Sequence, residues 1–407
     1  MKRYILGFIS WNYLNFLSYE GSDRMPVFGI DNMLVGIIFF TFAIWCILIS
    51  REIKRKRQKE TDREKLLELR EGVYNGALTT VMCIVLGLFY FIPGLTVALV
   101  NNTIEASLYL LYPTPWATFV IYFLGFAFIF IAIFVLYEWK TKKFSSAPPQ
   151  EQKVHKLDKE ISRKAFHILI IGVLAVYLIV GKLIVNSIYE HLITAAYDYW
   201  GYSSVGYDTI TKSIIDGGQL VTMFGLMAIF ELVMLLDLIR LKAPRYFPAR
   251  MLANLYREKE KDTLGPHIYL LIGMLFAVVV FPPPIAMAVI AVSALGDATA
   301  TIVGVTQRKR KIRPGVSKKT WEGTIAGTLA SFAFGFVGFI AIAFAPVYIG
   351  YVGTVERGIM IGLVINAVGA LLFMLIDYYT PKPILFSDNL LNPIIIGFAM
   401  WGVYALF

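Results

Sequence analysis

The chain is poor in charge and in cysteine. Only 16% of its 407 residues are Asp, Glu, Lys or Arg, and only two are cysteines, Cys46 and Cys83, both inside apolar runs. Soluble domains carry roughly 25% charged residues. Two thiols supply neither a disulfide framework nor a zinc pattern, and they read as helix filler. Scarce charge, 57% hydrophobic residues and a mean hydropathy of +0.66 exclude an ordinary soluble domain. They indicate an all-α, polytopic transmembrane bundle. The pattern of a cleavable leader is not evident. Residues 1–18 mix aromatic and polar side chains and read as an interfacial helix.

Apolar runs predict about ten spans, at 29–50, 72–100, 116–137, 162–185, 217–239, 266–281, 284–305, 320–345, 356–377 and 391–407. The net charge of +10 is not spread evenly between them. Segments 51–71, 138–164, 240–261 and 306–319 hold 31 of the 38 Lys and Arg residues. The intervening loops 101–115, 186–216, 282–284 and 346–355 hold only Lys212. The alternation makes the basic residues topology signals rather than a nucleic-acid surface. It places those four segments in the cytoplasm and the N-terminus outside.

The chain divides into two parts. Residues 1–150 carry three spans and a charged, helix-like segment at 51–71, with no chemistry attached; 145–150 (SSAPPQ) reads as a linker. Residues 151–407 carry seven spans and every polar constellation. The long loop 186–216 is rich in Tyr, with Trp200, and reads as an interfacial cap.

The central stretch is Ser293 to Gly327, SALGDATATIVGVTQRKRKIRPGVSKKTWEGTIAG. Asp297 is a lone acid in an apolar span, which costs about 2.5–3.5 kcal/mol on insertion scales unless the carboxylate has a partner or a task. It reads as a metal or phosphate ligand, or as a charge paired within the bundle. Gly296 and the small residues after Asp297 permit close helix approach. Lys318 and Lys319 follow a Pro-Gly turn at the mouth of the next helix and suit phosphate oxygens. Glu322 sits in the first turn, as a helix-start charge or a positioning group. Arg163, Lys164 and His167 open an earlier span, as snorkelling anchors or polyphosphate contacts. Glu231, mid-span, is a candidate general base or a lysine partner. Asp388 and Asn389 read as an N-cap or as metal and phosphate ligands. His267, after Asp262, Thr263 and Gly265, opens another span and can donate to an anion. By the charge rule Arg163, His267, Lys318, Lys319, Asp388 and the lower end of the Asp297 helix fall near the cytoplasmic face, with the carboxylates for Mg²⁺ and the cations that phosphoryl transfer requires.

SALGDATATIVG, followed by SKKTWEGTIAG and then SDNLLNP, resembles the dolichol kinase and phytol kinase group of membrane enzymes, relatives of the phosphatidate cytidylyltransferases. ISRKAFHILIIG resembles the Arg-Lys-x-x-His element that opens the same domain. The resemblance covers roughly 155–407. It implies a CTP-dependent enzyme with Mg²⁺, and an isoprenoid or similar lipid alcohol as acceptor. On this chain it would make Asp297 and Asp388 the metal ligands. Lys318 and Lys319 would be phosphate ligands positioned by Glu322, and Asn389 would complete the site. A cytidylyltransferase making a CDP-lipid is the nearest alternative. The chain has Ser387, Asp388, Asn389 and Leu390 where that group has a Pro-Gly-His-Gly-Gly run and an Asp-Arg-x-Asp end, which favours the kinase. Walker A and HRD/DFG patterns are absent. A transporter or scaffold is the third reading; it predicts inverted repeats, and none is evident. The expected partners are CTP and a membrane lipid, without nucleic acid. Homo-oligomerisation stays open.

Overall fold

The computed structural model describes residues 25–99, 129, 133, 172–173, 217–242, 262–307, 310–312, 314, 319–344, 352–380 and 386–407. The expected spans 116–137 and 162–185, the interfacial helix at 1–18, the linker at 145–150 and the loop 186–216 lie outside these residues, apart from single positions. So do Arg163, Lys164, His167 and Lys318.

The described chain is helical: α1 (Met25–Lys59), α2 (Arg63–Leu99), α3 (Gly217–Lys242), α4 (Pro266–Val280), α5 (Pro283–Gln307), α6 (Trp321–Ala343), α7 (Val355–Tyr379) and α8 (Asp388–Leu391). A π-helical segment (Asn392–Ile396) continues α8 into α9 (Gly397–Tyr404). Among the described residues five stretches are long and apolar enough to cross a membrane: Met33–Lys59, Lys65–Ile92, Pro283–Gln307, Trp321–Ala343 and Val355–Tyr379. Pro266–Val280 is apolar but shorter. Large apolar side chains such as Ile44, Val81, Leu329, Val337 and Leu371 point outward, as a lipid solvent permits.

The charged segment 51–71 is helical on both sides of a short turn at 60–62. Its Arg, Lys, Glu and Leu residues are strong helix formers. Lys56, Arg57 and Lys59 end α1, where cations oppose the helix dipole. α1 and α2 form an antiparallel hairpin. The buried Cys46 and Cys83 face each other across it, and Phe39 stacks on Tyr90 at 5.9 Å. Edge-to-face contact between Phe42 and Phe230 joins α1 to α3.

α5 is the enclosed helix of the bundle, buried almost continuously from Pro283 to Ala300. Its tightest neighbour is α6. A Cβ on Gly327 would come within 2.6 Å of the Ala300 Cβ and 2.9 Å of the Gly296 carbonyl oxygen; one on Gly323 would come within 2.6 Å of the Ala300 carbonyl oxygen. Only glycine allows these backbones to approach so closely, as the small residues around Asp297 suggest. Pro393, which cannot donate to the preceding turn, lies at the start of the π-helical segment. That segment lies against Gly273 of α4. The Ser387, Asp388 and Asn389 corner is thereby brought to the start of α4 and to the end of α7.

Candidate functional site

The loop from α5 to α6 is pinched at its base. Lys311 and Thr320 form an antiparallel bridge. Ile312 N–H donates to the Lys319 carbonyl at 3.0 Å, and Trp321 N–H donates to the Arg310 carbonyl at 2.9 Å. Glu322 accepts from Arg310 N–H at 3.3 Å. The Thr320 hydroxyl accepts from Gly323 N–H at 3.2 Å and caps α6. Together these bonds fix the backbone of Lys319 and direct its side chain to the C-terminal end of α7.

There Lys319 Nζ stands 2.6 Å from Asp377 Oδ1 and 3.2 Å from Asp388 Oδ2. It also donates to Thr380 Oγ1 at 2.8 Å and to the Asp377 carbonyl at 3.1 Å. The last carbonyls of a helix have no partner within it and carry the negative end of its dipole, so an ammonium is favoured at this place. The second oxygen of Asp377 accepts from the hydroxyl of Thr324, a buried α6 residue. Burial works against the Lys319 ammonium. The carboxylates of Asp388 and Asp377, and more weakly Asp297, outweigh it and raise the lysine above its ordinary 10.5. Lys319 is therefore charged throughout the physiological range.

This knot gathers Lys319 and Thr324 at the start of α6, Asp377 and Thr380 at the end of α7 and Asp388 of α8, with Asp297 of α5 near enough to act on the lysine electrostatically. Each oxygen of Asp377 has a partner, and its side chain is only 8% exposed. Asp388 meets Lys319 at a longer distance through Oδ2, accepts from Asn389 N–H at 3.1 Å through Oδ1 and is 28% exposed, which makes it the more accessible of the two carboxylates.

The other expected site residues take different places. Glu322 braces the loop base. Asn389 donates to the Pro266 carbonyl at 3.4 Å and so joins α8 to α4. Ser387 stands at the N-cap of α8, and Asn389 N–H is shared between its hydroxyl at 3.3 Å and Asp388 Oδ1 at 3.1 Å. His267 lies over Gly265, where a Cβ would come within 2.2 Å of its Cε1. Glu231 is buried on α3, and its Oε2 has no hydrogen-bond partner among the described residues. None of the Lys319 contacts reaches it. Asp377, Thr324 and Thr380 were not anticipated.

A second polar knot holds the approach to α4. Arg240 Nε donates to Asp237 Oδ1 at 2.5 Å, and another guanidinium nitrogen donates to the Thr263 carbonyl at 2.5 Å. Gly265 N–H donates to Asp237 Oδ2 at 2.9 Å. The pair is buried and hydrogen-bonded on both sides, the condition under which a buried ion pair is tolerated.

Among the described residues no group of three or more His, Cys, Asp and Glu side chains is placed to hold a metal ion. Magnesium commonly takes only one or two carboxylates, with phosphate oxygens of the substrate and water completing its shell. Asp388 and Asp297 are hard oxygen donors, the ligand type that magnesium takes. Compared with protein-family models, with curated proteins and with solved structures, the chain matches none.

Proposed function

We propose that this chain is an integral membrane phosphotransferase, moving the γ-phosphoryl group of CTP to a lipid alcohol of the polyprenol or dolichol type. The observation that carries the reading is the Lys319 knot: one charged lysine, pinned by a braced loop, among acids from three other helices at one end of an apolar bundle. That composition suits a polyphosphate with its counter-ion. The motif order shared with the dolichol and phytol kinase group supports it. In this reading the chain crosses the membrane about ten times. The N-terminus is outside and the site faces the cytoplasm.

Lys319 and Lys318 bind phosphate oxygens. Glu322 holds the loop, and Arg163, Lys164, His167, His267 and Asn389 bind substrate. Asp388 and Asp297 would hold magnesium, which would supply charge neutralisation for the polyphosphate. The acceptor oxygen bonds to the γ-phosphorus as the bond from that phosphorus to the bridging oxygen of CDP breaks. The hydroxyl proton passes to a base, for which Glu231, His167 and Asp297 are the candidates. Glu231 is the one with an unpartnered buried oxygen among the described residues.

The test incubates detergent-purified protein with Mg²⁺, γ-labelled CTP and a polyprenol mixture, beside Asp297→Asn and Lys319→Met. Label entering the lipid phase with the wild type and lost in both variants supports the reading. Label released as pyrophosphate, with a lipid phosphate required as acceptor, moves the chain to the cytidylyltransferase reaction. No turnover with any prenol, diacylglycerol or phytol overturns the enzyme reading in favour of transport or scaffolding.

A further inference from the structure

The N-terminal hairpin reaches into the candidate site. Asn75 of α2 is 3% exposed, and its Oδ1 accepts from Ser387 N–H at 2.7 Å, a bond between residues 312 positions apart. Next to it, Tyr74 meets the ring of Phe386 edge-on at 5.8 Å. One turn earlier on the same helix, a Cβ on Gly72 would come within 2.4 Å of Thr263 Cγ2. Lys56 pairs with Asp262 at 2.7 Å. The hairpin therefore touches both segments that lead into site helices, 262–265 before α4 and 386–387 before α8.

The Asn75 bond differs from the hairpin's apolar packing in what it holds. Ser387 spends its hydroxyl on capping α8, and its N–H goes to Asn75. The next residue is Asp388, whose carboxylate meets Lys319. We infer that Asn75 is a positioning residue for the candidate site: through the Ser387 amide it fixes the corner that presents Asp388 to Lys319. The N-terminal hairpin is then part of the site's construction and not an annex to it. The catalytic consequence rests on the phosphotransfer reading above; the anchoring does not.

The test compares wild type, Asn75→Leu and Asn75→Asp, the last of which keeps an acceptor oxygen. Hydrogen exchange at the Ser387 amide reads the bond. A carbodiimide, which activates a carboxylate for attack by the Lys319 amine and leaves as its urea, reads the corner, as the ratio of cross-link to Asp388 over cross-link to Asp377. Asn75→Leu is expected to speed Ser387 exchange about fivefold to tenfold, the protection of one hydrogen bond, and to lower the Asp388 ratio. Asn75→Asp stays near wild type in both. For CTP turnover, Asn75→Leu is expected to lower kcat about tenfold or more through misplacement, with KM for CTP unchanged. Unchanged exchange in Asn75→Leu overturns the inference, as does faster exchange with an unchanged cross-link ratio. If wild type transfers no phosphoryl group, the functional reading fails, and exchange and cross-linking alone decide the anchoring.

If Asn75→Leu does not fold, Ser387→Pro and Ser387→Ala replace it. Both lose the cap hydroxyl, and Ser387 has φ −66°, which proline adopts. Of the two, only proline removes the N–H. A lower Asp388 ratio in Ser387→Pro than in Ser387→Ala supports the inference; equal ratios overturn it.

Discussion

Asp377 and Asp388 both touch Lys319, yet their surroundings predict opposite roles. Asp377→Asn removes a contact of 2.6 Å from a side chain only 8% exposed. A hydrogen bond to a charged group contributes about 1.5–3 kcal/mol. The loss stays below the about 3–5 kcal/mol of a stranded buried charge, because Lys319 retains Asp388 and Thr380. Asp388→Asn removes a contact of 3.2 Å from a side chain 28% exposed, worth about 0.2–1 kcal/mol. The assay is thermal unfolding in detergent with a thiol-reactive dye, since Cys46 and Cys83 are buried until the hairpin opens. At about 2 °C per kcal/mol for a large chain, Asp377→Asn lowers the midpoint by about 3–6 °C and Asp388→Asn by no more than about 2 °C. Turnover runs the other way, with Asp388→Asn the more damaging. A lysine with a raised folded-state pKa contributes stability that is fully present below its unfolded value, 10.5, and is lost only as pH rises through the folded value. The midpoint difference attributable to Lys319 is therefore flat between about pH 6 and 9. Equal midpoint losses, or a larger loss for Asp388→Asn, would refute this account of the knot.

Other expectations are simpler. Gly327→Ala puts a Cβ 2.6 Å from Ala300 Cβ and should destabilise by about 1–3 kcal/mol; Gly402→Ala meets nothing within 4 Å and should leave the dye-reported midpoint alone. Arg240→Met strands Asp237 in the interior and should cost about 3–5 kcal/mol, partly restored by adding Asp237→Leu. Copper-phenanthroline oxidation should join Cys46 to Cys83 within one chain, a loss of two hydrogens seen by mass spectrometry; a bridge only between chains would contradict the hairpin. Lys56→Ala removes an exposed pair, side chains 45% and 36% accessible, and should move the midpoint by the equivalent of less than about 1 kcal/mol.

The helices were legible where a long apolar run ended in charge or a cap. The runs at 284–305, 320–345 and 356–377 correspond to α5, α6 and α7 within a few residues. Glycine beside Asp297 signalled close helix approach, and Gly296, Gly323 and Gly327 supply it. Asp297, a lone acid within an apolar span, and Lys319 and Asp388, charges at the margins of apolar runs, stand out in the sequence as candidates, and the structure brings Lys319 and Asp388 together. Asp377 carries a similar signal, a lone acid in LLFMLIDYY, but no motif surrounds it. Thr324 and Thr380 had no signal of their own: a threonine near a helix end reads as a cap until the neighbouring helix is known. The role of Asn75 depends on a partner 312 positions away, which no local pattern encodes.

The link between α4 and α5 has a consequence for how the chain sits in lipid. α4 has 15 residues and rises about 22 Å, short of a hydrocarbon core of about 30 Å. Its last residues and the Phe281–Pro284 link are buried, among the rings of Phe276, Phe398 and Trp401. A chain reversal at that depth would normally strand amide donors where no water reaches them. Here Pro282, Pro283 and Pro284 have no amide hydrogen to strand, while Phe281 N–H and Ala286 N–H are bonded to Ala277 and Pro282 carbonyls. The triple proline gives the turn between α4 and α5 no amide hydrogen at 282–284, so the chain reverses among apolar rings without an unpaired donor at those three positions.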